Sequence, residues 1–156
     1  DLFTFGRDRK AISELVEMTV ARFRTATILM IAANNLAMID RLPKAIEYLK
    51  EASEIEPMSP EVWMMLTRGY LRSMDYERMR EACQYYMALC PETRDFEMLM
   101  IEADGDMEEG NFALAMESLR KCSHLRGLTQ EQRIMLSIAT AQAMNGIGEP
   151  SKKILN

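Results

Sequence analysis

The fold of this chain is decided by residues 63–70, which read Trp63-Met64-Met65-Leu66-Thr67-Arg68-Gly69-Tyr70. Apolar side chains recur here at three- and four-residue intervals, the spacing that gives a helix one buried face. Ser59 and Pro60 stand just before this stretch. They favour a helix start, because serine can cap free amide groups and proline fits the first turn. The stretch therefore predicts a helix that begins near Pro60 and packs against its neighbours.

The same pattern of small and large residues returns along the chain at a fixed period. Residues shifted by 34 match in the two middle repeats: Ala45, Leu49, Ala52 and Pro57, then Met79, Cys83, Tyr86 and Pro91. The phase also extends outward, back to Ala11, Leu15 and Met18, and forward in steps of 36 to Ala115, Leu119 and Cys122, then Ser151 and Leu155. A period of about 20 to 50 residues is typical of a solenoid. The chain is therefore predicted to be an array of helical hairpins.

This repeat resembles the tetratricopeptide repeat, whose signature places Trp, Leu-Gly, Tyr, a small residue, an aromatic and a proline at a period of roughly 34 residues. The resemblance covers nearly the whole chain, and residues 60–93 carry most of the signature. Thr67 stands where the family usually has Gly, and Gly127 stands where a proline is expected. The resemblance implies an all-α fold, a right-handed superhelical solenoid of antiparallel helix pairs.

Local signals divide the array into about nine helices. The candidate N-cap residues are Ser59, Asp75, Thr93, Asn111 and Thr129. Thr129 with Gln132 also has the spacing of a capping box. Gly6, Gly110 and Gly146 are expected in the turns inside hairpins, where a positive φ is often needed. The predicted helices span residues 8–23, 26–39, 43–56, 60–73, 76–89, 94–108, 112–124, 130–145 and 150–155.

We expect one domain over residues 1–156. Its predicted parts are a partial repeat (a second helix) at 1–25, repeats at 26–59, 60–93 and 94–128, and a partial or terminal repeat at 129–156. A solenoid normally needs polar end caps. An array that starts and stops inside repeats is therefore expected to be cut from a longer array or closed by another surface.

Charge and hydropathy argue against nucleic-acid and membrane functions. Nucleic-acid binding depends on clustered Lys and Arg that contact phosphates, and the net charge of -5 argues against such a surface. The longest apolar stretch, residues 25–39, is interrupted by Asn34 and Asn35 and is too short to cross a bilayer. We therefore predict no nucleic-acid partner and no direct membrane insertion.

The cysteines favour a reducing compartment. Cys83, Cys90 and Cys122 form an odd set without a CxxC pair, which is typical of small buried residues rather than a disulfide framework. The expected compartment is cytoplasmic. A periplasmic or other location stays open, because a chain that begins with Asp1 is expected to be a processed or excised piece.

Catalytic residues are scarce. His124 is the one histidine, and Cys122, two residues before it, is expected on another side of the helix, so the two form no nucleophile pair. No phosphate loop, zinc spacing or dinucleotide fingerprint occurs. We predict that the chain is not an enzyme and has no cofactor.

An acidic stretch at residues 95–110 holds seven acidic side chains and no basic one. Counted from Asp104, an EF-hand loop would need glycine and glutamate where Glu109 and Ala115 stand. The stretch is therefore predicted to be a solvated or groove-facing acidic strip, without a metal.

In the family that this chain resembles, the first helix of each hairpin lines a concave face that holds extended peptides or helices. The resemblance implies groove residues at Met30, Asn34, Met38, Met64, Arg68, Leu71, Arg72, Met100, Asp104, Met107, Arg133 and Leu136. Met30, Met64 and Met100 occupy equivalent places and form a predicted methionine ladder, which can reshape around apolar partner side chains. The alternative is that these methionines fill gaps between helices.

Polar groups of the predicted groove suggest its ligand. Arg68 and Arg72, four residues apart, can converge on a carboxylate or on peptide carbonyls, or they form an ordinary solvated face. Chaperone-binding members of the family hold a terminal carboxylate with a Lys and Asn clamp. Asn34 matches one such place, but Met30, Met64 and Glu97 occupy others. A chaperone tail is therefore not the expected ligand.

The sequence thus predicts a scaffold, adaptor or chaperone-like module that binds a peptide or amphipathic helix of a protein partner. Residues 81–156 hold 12 acidic and 7 basic side chains, so a partner with apolar anchors and a basic flank is expected. The alternative is a structural segment of a larger assembly that forms a homo-oligomer through its open repeat ends.

Overall fold

The computed structural model describes residues 2–91 and 95–148, with side chains from Gly6 onward. This part of the chain contains eight α-helices and no strand. They are α1 (Leu2–Arg22), α2 (Ala26–Met38), α3 (Leu42–Ile55), α4 (Pro60–Arg72), α5 (Tyr76–Leu89), α6 (Phe96–Glu108), α7 (Phe112–Ser123) and α8 (Gln130–Gly148). The closest packing joins α2 to α3, α4 to α5, and α6 to α7. These pairs are the predicted hairpins.

The chain forms two compact units, Asp1–Cys90 and Pro91–Asn156. The first contains α1 to α5, and the second contains α6 to α8. The boundary falls close to the predicted division between the repeats at 60–93 and 94–128. Each unit thus holds whole hairpins.

The repeated residues form the core of the first unit. Ala45, Leu49 and Ala52, which set the phase of the repeat, are 1%, 4% and 0% exposed. In the next hairpin, the rings of Trp63 and Tyr85 stack with centroids 4.3 Å apart and join α4 to α5. The in-phase residues of α3 therefore lie inside their hairpin, as the period predicted, whereas Ala11, Leu15 and Met18 of α1 are exposed.

Helix starts in the first unit use side-chain caps at two places. The Thr25 hydroxyl accepts a hydrogen bond from the amide of Ile28, and the Asp75 carboxylate accepts one from the amide of Arg78. Asp75 was a predicted cap, and Thr25 was missed. Ser59 does occupy the N-cap of α4, but its side chain accepts no cap bond. Its hydroxyl donates a hydrogen bond to a Glu61 carboxylate oxygen.

Two helix starts in the second unit have side-chain hydrogen bonds at their caps. Asp95 accepts hydrogen bonds from two amides at the start of α6, and the predicted cap Thr93 lies outside the described residues. Thr129 and Gln132 exchange both bonds of the capping box, at 3.0 and 3.1 Å, which confirms that prediction. Asn111 precedes α7 without a side-chain cap bond.

Glycine occurs both in turns and where two helices approach closely, and the sequence does not distinguish these two uses. Gly110 lies in the α6–α7 turn with a φ of +79°, as predicted. Gly6 and Gly146 were also predicted in turns, but they lie inside α1 and α8. Gly146 faces the ring of Phe112, which leaves no room for a Cβ atom, so this glycine allows a close approach of α7 to α8.

Helix ends otherwise follow the prediction closely. From α2 to α7 every end lies within two residues of the predicted one, whereas α1 begins six residues earlier and α8 continues three residues further. The helix predicted at 150–155 lies outside the described residues.

Candidate functional site

The predicted groove residues of the first unit lie on α2 and α4. On α2, Met30 is half-buried, and Asn34 and Met38 are exposed. The Asn34 amide approaches the Met38 sulfur at 3.9 Å, so the two side chains lie side by side. Met38 is 76% exposed, which makes it the most accessible apolar group on this helix.

Four further predicted groove residues lie on α4. Met64, Arg68 and Leu71 are half-buried, and Arg72 is exposed. The Arg72 guanidinium donates a hydrogen bond to the carbonyl oxygen of Ala37 at 3.4 Å. The ends of α2 and α4 therefore approach each other at this bond. The predicted groove residues of the two helices are together called the α2–α4 face below: Met30, Asn34, Met38, Met64, Arg68, Leu71 and Arg72. Arg72 contacts a carbonyl of its own chain rather than pointing only to solvent.

The second unit offers fewer methionines. Met100 is only 8% exposed, although it was predicted to line the open groove as part of the methionine ladder. Its neighbours Met98, Leu99 and Ile101 are buried as well, so α6 is buried on all sides over residues 98–101. Further along, Met107 is half-buried and supplies the accessible sulfur of this helix.

The acidic strip follows on the same helix. The Asp104 side chain is exposed to solvent. Desolvation by neighbouring groups, reinforced by the charge of Glu108, nevertheless raises the pKa of its carboxyl. Within residues 2–91 and 95–148, no group of three or more metal-binding side chains comes together. The strip can attract a basic partner, but it does not converge as a cation site.

A cleft of about 400 Å³ lies where α7 connects to α8. Its walls include two predicted groove residues, Arg133 and Leu136, together with Leu125 and Leu128 from the connection. The two loop leucines were not predicted. They stand on either side of the pair Arg126 and Gly127, and Gly127 has a φ of +77°. Two leucines so close to a turn glycine were the available signal.

A second cleft of about 470 Å³ adjoins the first. It shares Leu125, Gly127 and Leu128 with the first cleft, and adds Glu97 from the start of α6. The second unit therefore has a depression of mixed polar and apolar lining, with Arg133 in one cleft and Glu97 in the other.

The thiol beside the single histidine has no catalytic geometry. Cys122 is fully buried, and burial, with the nearby Glu102 carboxylate, raises the pKa of its thiol to about 11. His124 is exposed at the end of α7, with Nδ1 2.7 Å from the Arg120 carbonyl oxygen. At neutral pH this thiol is protonated and inaccessible, so it is not a nucleophile.

In the described part of the chain, no helix has the length and apolar character needed to span a bilayer.

Comparison with known proteins identifies the fold. No family model matches the sequence, and no curated protein matches it either. Among solved structures, MamA matches with a TM-score of 0.76 at 17% identity, over 92% of this chain and 75% of MamA. The peptide-binding repeat protein YrrB matches with a TM-score of 0.67 at 13% identity, over 87% of this chain and 73% of YrrB.

A third structure is the first tetratricopeptide domain of Spaghetti (RPAP3), bound to an HSP90 peptide. It matches with a TM-score of 0.65 at 15% identity, over 78% of this chain and 97% of that domain. Together with the helix pairs described above, these matches show that the chain has the tetratricopeptide-repeat fold.

Proposed function

We propose that this chain is a non-catalytic protein-interaction module that binds a peptide or amphipathic helix of another protein along its first helices. The observation that carries the proposal is the α2–α4 face, where Met30, Met38, Met64 and Leu71 offer accessible apolar surface beside Arg68. Unbranched methionines adapt to different apolar partners. Such a face suits recognition by side-chain anchors, with polar groups that fix orientation.

Taken by itself, the second unit offers acidic groups to basic residues of a protein partner. The acidic strip of α6 includes Asp104 and Glu108, both exposed, and Glu97 lies on the wall of the neighbouring cleft. Negative groups spaced along one helix attract Lys and Arg of a partner segment. Leu136 in the first cleft provides a further apolar contact.

The relatives in fold are consistent with this function but do not fix the ligand. The first tetratricopeptide domain of Spaghetti is bound to an HSP90 peptide, and YrrB has an unusual peptide-binding site. In this chain only Asn34 matches the carboxylate clamp, because Met30, Met64 and Glu97 stand at the other places. We therefore propose apolar anchors rather than a chaperone tail.

A peptide titration tests the proposal. The probes are a 15-residue amphipathic peptide with Leu anchors and a Lys flank, and a counterpart in which Glu replaces each Lys. We expect the basic peptide to bind more tightly, and Met64→Glu or Arg68→Glu to weaken its binding by about tenfold or more. Fluorescence anisotropy measures both effects.

Met58→Glu is the matched control. Met58 is 75% exposed, lies in the α3–α4 connection and is not one of the predicted groove residues, so its replacement adds the same charge outside that set. Equal affinity of the natural chain, Met64→Glu and Arg68→Glu for the basic peptide would contradict binding on the α2–α4 face.

A further inference from the structure

The methionines of the predicted groove differ widely in their access to solvent. Met38 is 76% exposed, whereas Met30, Met64 and Met107 are half-buried and Met100 is buried. Oxidants in solution reach exposed methionine side chains before covered ones. Met38 is therefore the groove methionine that a peroxide modifies first.

The Met38 sulfur has a hydrogen-bond donor beside it. The side-chain amide of Asn34, one turn earlier on α2, donates to this sulfur at 3.9 Å. A thioether sulfur is only a weak acceptor, whereas oxidation to the sulfoxide makes the side chain polar and adds an oxygen that accepts hydrogen bonds. The same amide is therefore within reach of the oxidised side chain, and the sulfoxide has a partner on the α2–α4 face.

Oxidation at this position spares the core of the hairpins. Met38 is the last residue of α2 and is not one of the buried residues of that helix. The core methionines Met79 and Met98 are both 0% exposed. A limited dose of peroxide therefore changes the binding surface and leaves the fold in place.

We propose that Met38 is a modification site, at which oxidation by a peroxide weakens binding to the α2–α4 face. One oxygen atom passes from hydrogen peroxide to the thioether sulfur. The sulfur is oxidised by two electrons to the sulfoxide, and the peroxide is reduced to water. An apolar anchor of the partner then meets a polar group that must lose its water, which is unfavourable. This inference rests on the proposed function, because it concerns the same face.

Limited treatment of the full chain with hydrogen peroxide tests the proposal. Mass spectrometry locates the added oxygen atoms, and fluorescence anisotropy measures binding of the 15-residue peptide with Leu anchors and a Lys flank. We expect Met38 to be oxidised before Met30 and Met64, and the helical circular dichroism to stay unchanged. The affinity should fall by about tenfold, since a polar group replaces an apolar contact.

Enzymatic reduction separates this effect from other damage. A mixture of the two methionine sulfoxide reductases, supplied with dithiothreitol, should restore the affinity, because each enzyme reduces one sulfoxide epimer. Dithiothreitol alone should not restore it, since this reagent reduces disulfides and leaves the sulfoxide unchanged.

Two variants assign the effect to one residue. Met38→Leu removes the oxidisable sulfur from the face, and Met58→Leu removes an equally accessible one outside it, since Met58 is 75% exposed. Each protein is compared with itself before and after treatment, so their starting affinities need not be equal. Met38→Leu should keep its own affinity after treatment, while Met58→Leu should lose as much as the natural chain.

The outcomes distinguish this proposal from the proposed function. If the untreated natural chain does not bind the peptide, the proposed function is wrong, and this inference is overturned with it. If the untreated chain binds but the oxidised chain binds equally well, only the modification proposal is overturned. A loss in Met38→Leu as large as that in the natural chain, or oxidation of Met64 before Met38, would overturn it as well.

Discussion

The second and third hairpins fill the same place in the repeat with different chemistry. In α4–α5, Leu66 and Ala82 are both 2% exposed. A shift of 36 places Glu102 and Ser118 in the same register in α6–α7. There the Ser118 hydroxyl donates a hydrogen bond to a Glu102 carboxylate oxygen at 2.8 Å. An apolar pair in one hairpin is thus replaced by a hydrogen-bonded pair in the other.

A second position shows the same change. Tyr70 and Asp106 are again 36 residues apart, and they are 7% and 9% exposed. In the part of the chain that the structure describes, no buried side-chain nitrogen or oxygen lacks a hydrogen-bond partner. The comparison teaches that the register of a hairpin survives the loss of apolar residues, provided that the new polar group has a partner.

The largest effect is expected when the glutamate of the third hairpin is placed at the equivalent position of the second hairpin, where no hydroxyl partner is in register. Leu66→Glu buries a carboxylate where the register supplies only Ala82. We expect the free energy of unfolding to fall by about 3–5 kcal/mol, the cost of an uncompensated buried charge. Urea unfolding followed by circular dichroism measures it.

Leu66→Met is the control, because a swap of similar volume costs less than about 1.5 kcal/mol. If Leu66→Glu were no more costly than Leu66→Met, the second hairpin would tolerate a lone acid and the comparison would fail.

The sequence predicted the hairpins well because their register rests on a periodic pattern. The in-phase residues, such as Ala45 and Leu49, are buried as expected, and the capping box of Thr129 is present. Gly146 was wrongly predicted in a turn, because glycine serves both turns and close approaches. Only the position of the Phe112 ring, set by tertiary packing, decides between these uses.

The candidate site was less predictable. The period indicated which side chains share the face of a first helix, but not how deeply each one is covered. Met100 and Met64 hold equivalent places, yet Met100 is buried and Met64 is half-buried, because tertiary packing covers residues 98–101 of α6 on every side. The loop leucines Leu125 and Leu128 carry no periodic signal, and they were found only in the structure.

The next prediction compares two glycines, one in each unit, that lie against a side chain of a neighbouring helix. Gly146 lies against the rigid ring of Phe112 from α7, whereas a Cβ at Gly69 of α4 would lie 3.3 Å from the flexible end of Ile46. We expect Gly146→Ala to lower the free energy of unfolding by about 1–3 kcal/mol through overpacking. Gly69→Ala should change it by less than about 1 kcal/mol, since the gain in helix propensity offsets the crowding.

Urea unfolding of both variants checks this prediction. Phe112→Leu combined with Gly146→Ala should recover part of the loss, because the ring that causes it is gone. Equal costs at the two glycines would show that α7 moves away from α8 as easily as Ile46 moves from α4.

A smaller effect concerns Cys122, which stands 36 residues after Tyr86 of the second hairpin. Burial, and then the Glu102 charge, raises the pKa of its thiol from 9.0 to about 11. As the pH rises from about 9 to about 11, the unfolded chain loses this proton while the folded chain keeps it. The free energy of unfolding should therefore fall over this range, by on the order of 1–2 kcal/mol.

Cys122→Ala isolates that contribution, because tyrosines and lysines also titrate in the same range. Its free energy of unfolding should decline less steeply between pH 9 and 11 than that of the natural chain. Parallel declines would mean that Cys122 does not hold its proton more tightly in the folded state.

The smallest single effect tests the polar pair itself. Ser118→Ala removes the hydroxyl that bonds to the half-buried Glu102, and should cost about 1 kcal/mol, the net value of one hydrogen bond. Glu102→Leu with Ser118→Ala installs the pair found in the second hairpin. Because both polar groups are then removed together, we expect the double variant to unfold within about 0.5 kcal/mol of the natural chain or to be more stable.

The double-mutant cycle of Glu102→Leu and Ser118→Ala then separates register from chemistry. If the third hairpin has the register of the second, the two changes must couple, because each alone leaves a mismatched neighbour. Purely additive costs, measured by urea unfolding, would mean that Leu66 and Ala82 are not true counterparts of Glu102 and Ser118. Favourable coupling would instead show that one helical frame accepts either an apolar or a hydrogen-bonded pair at this place.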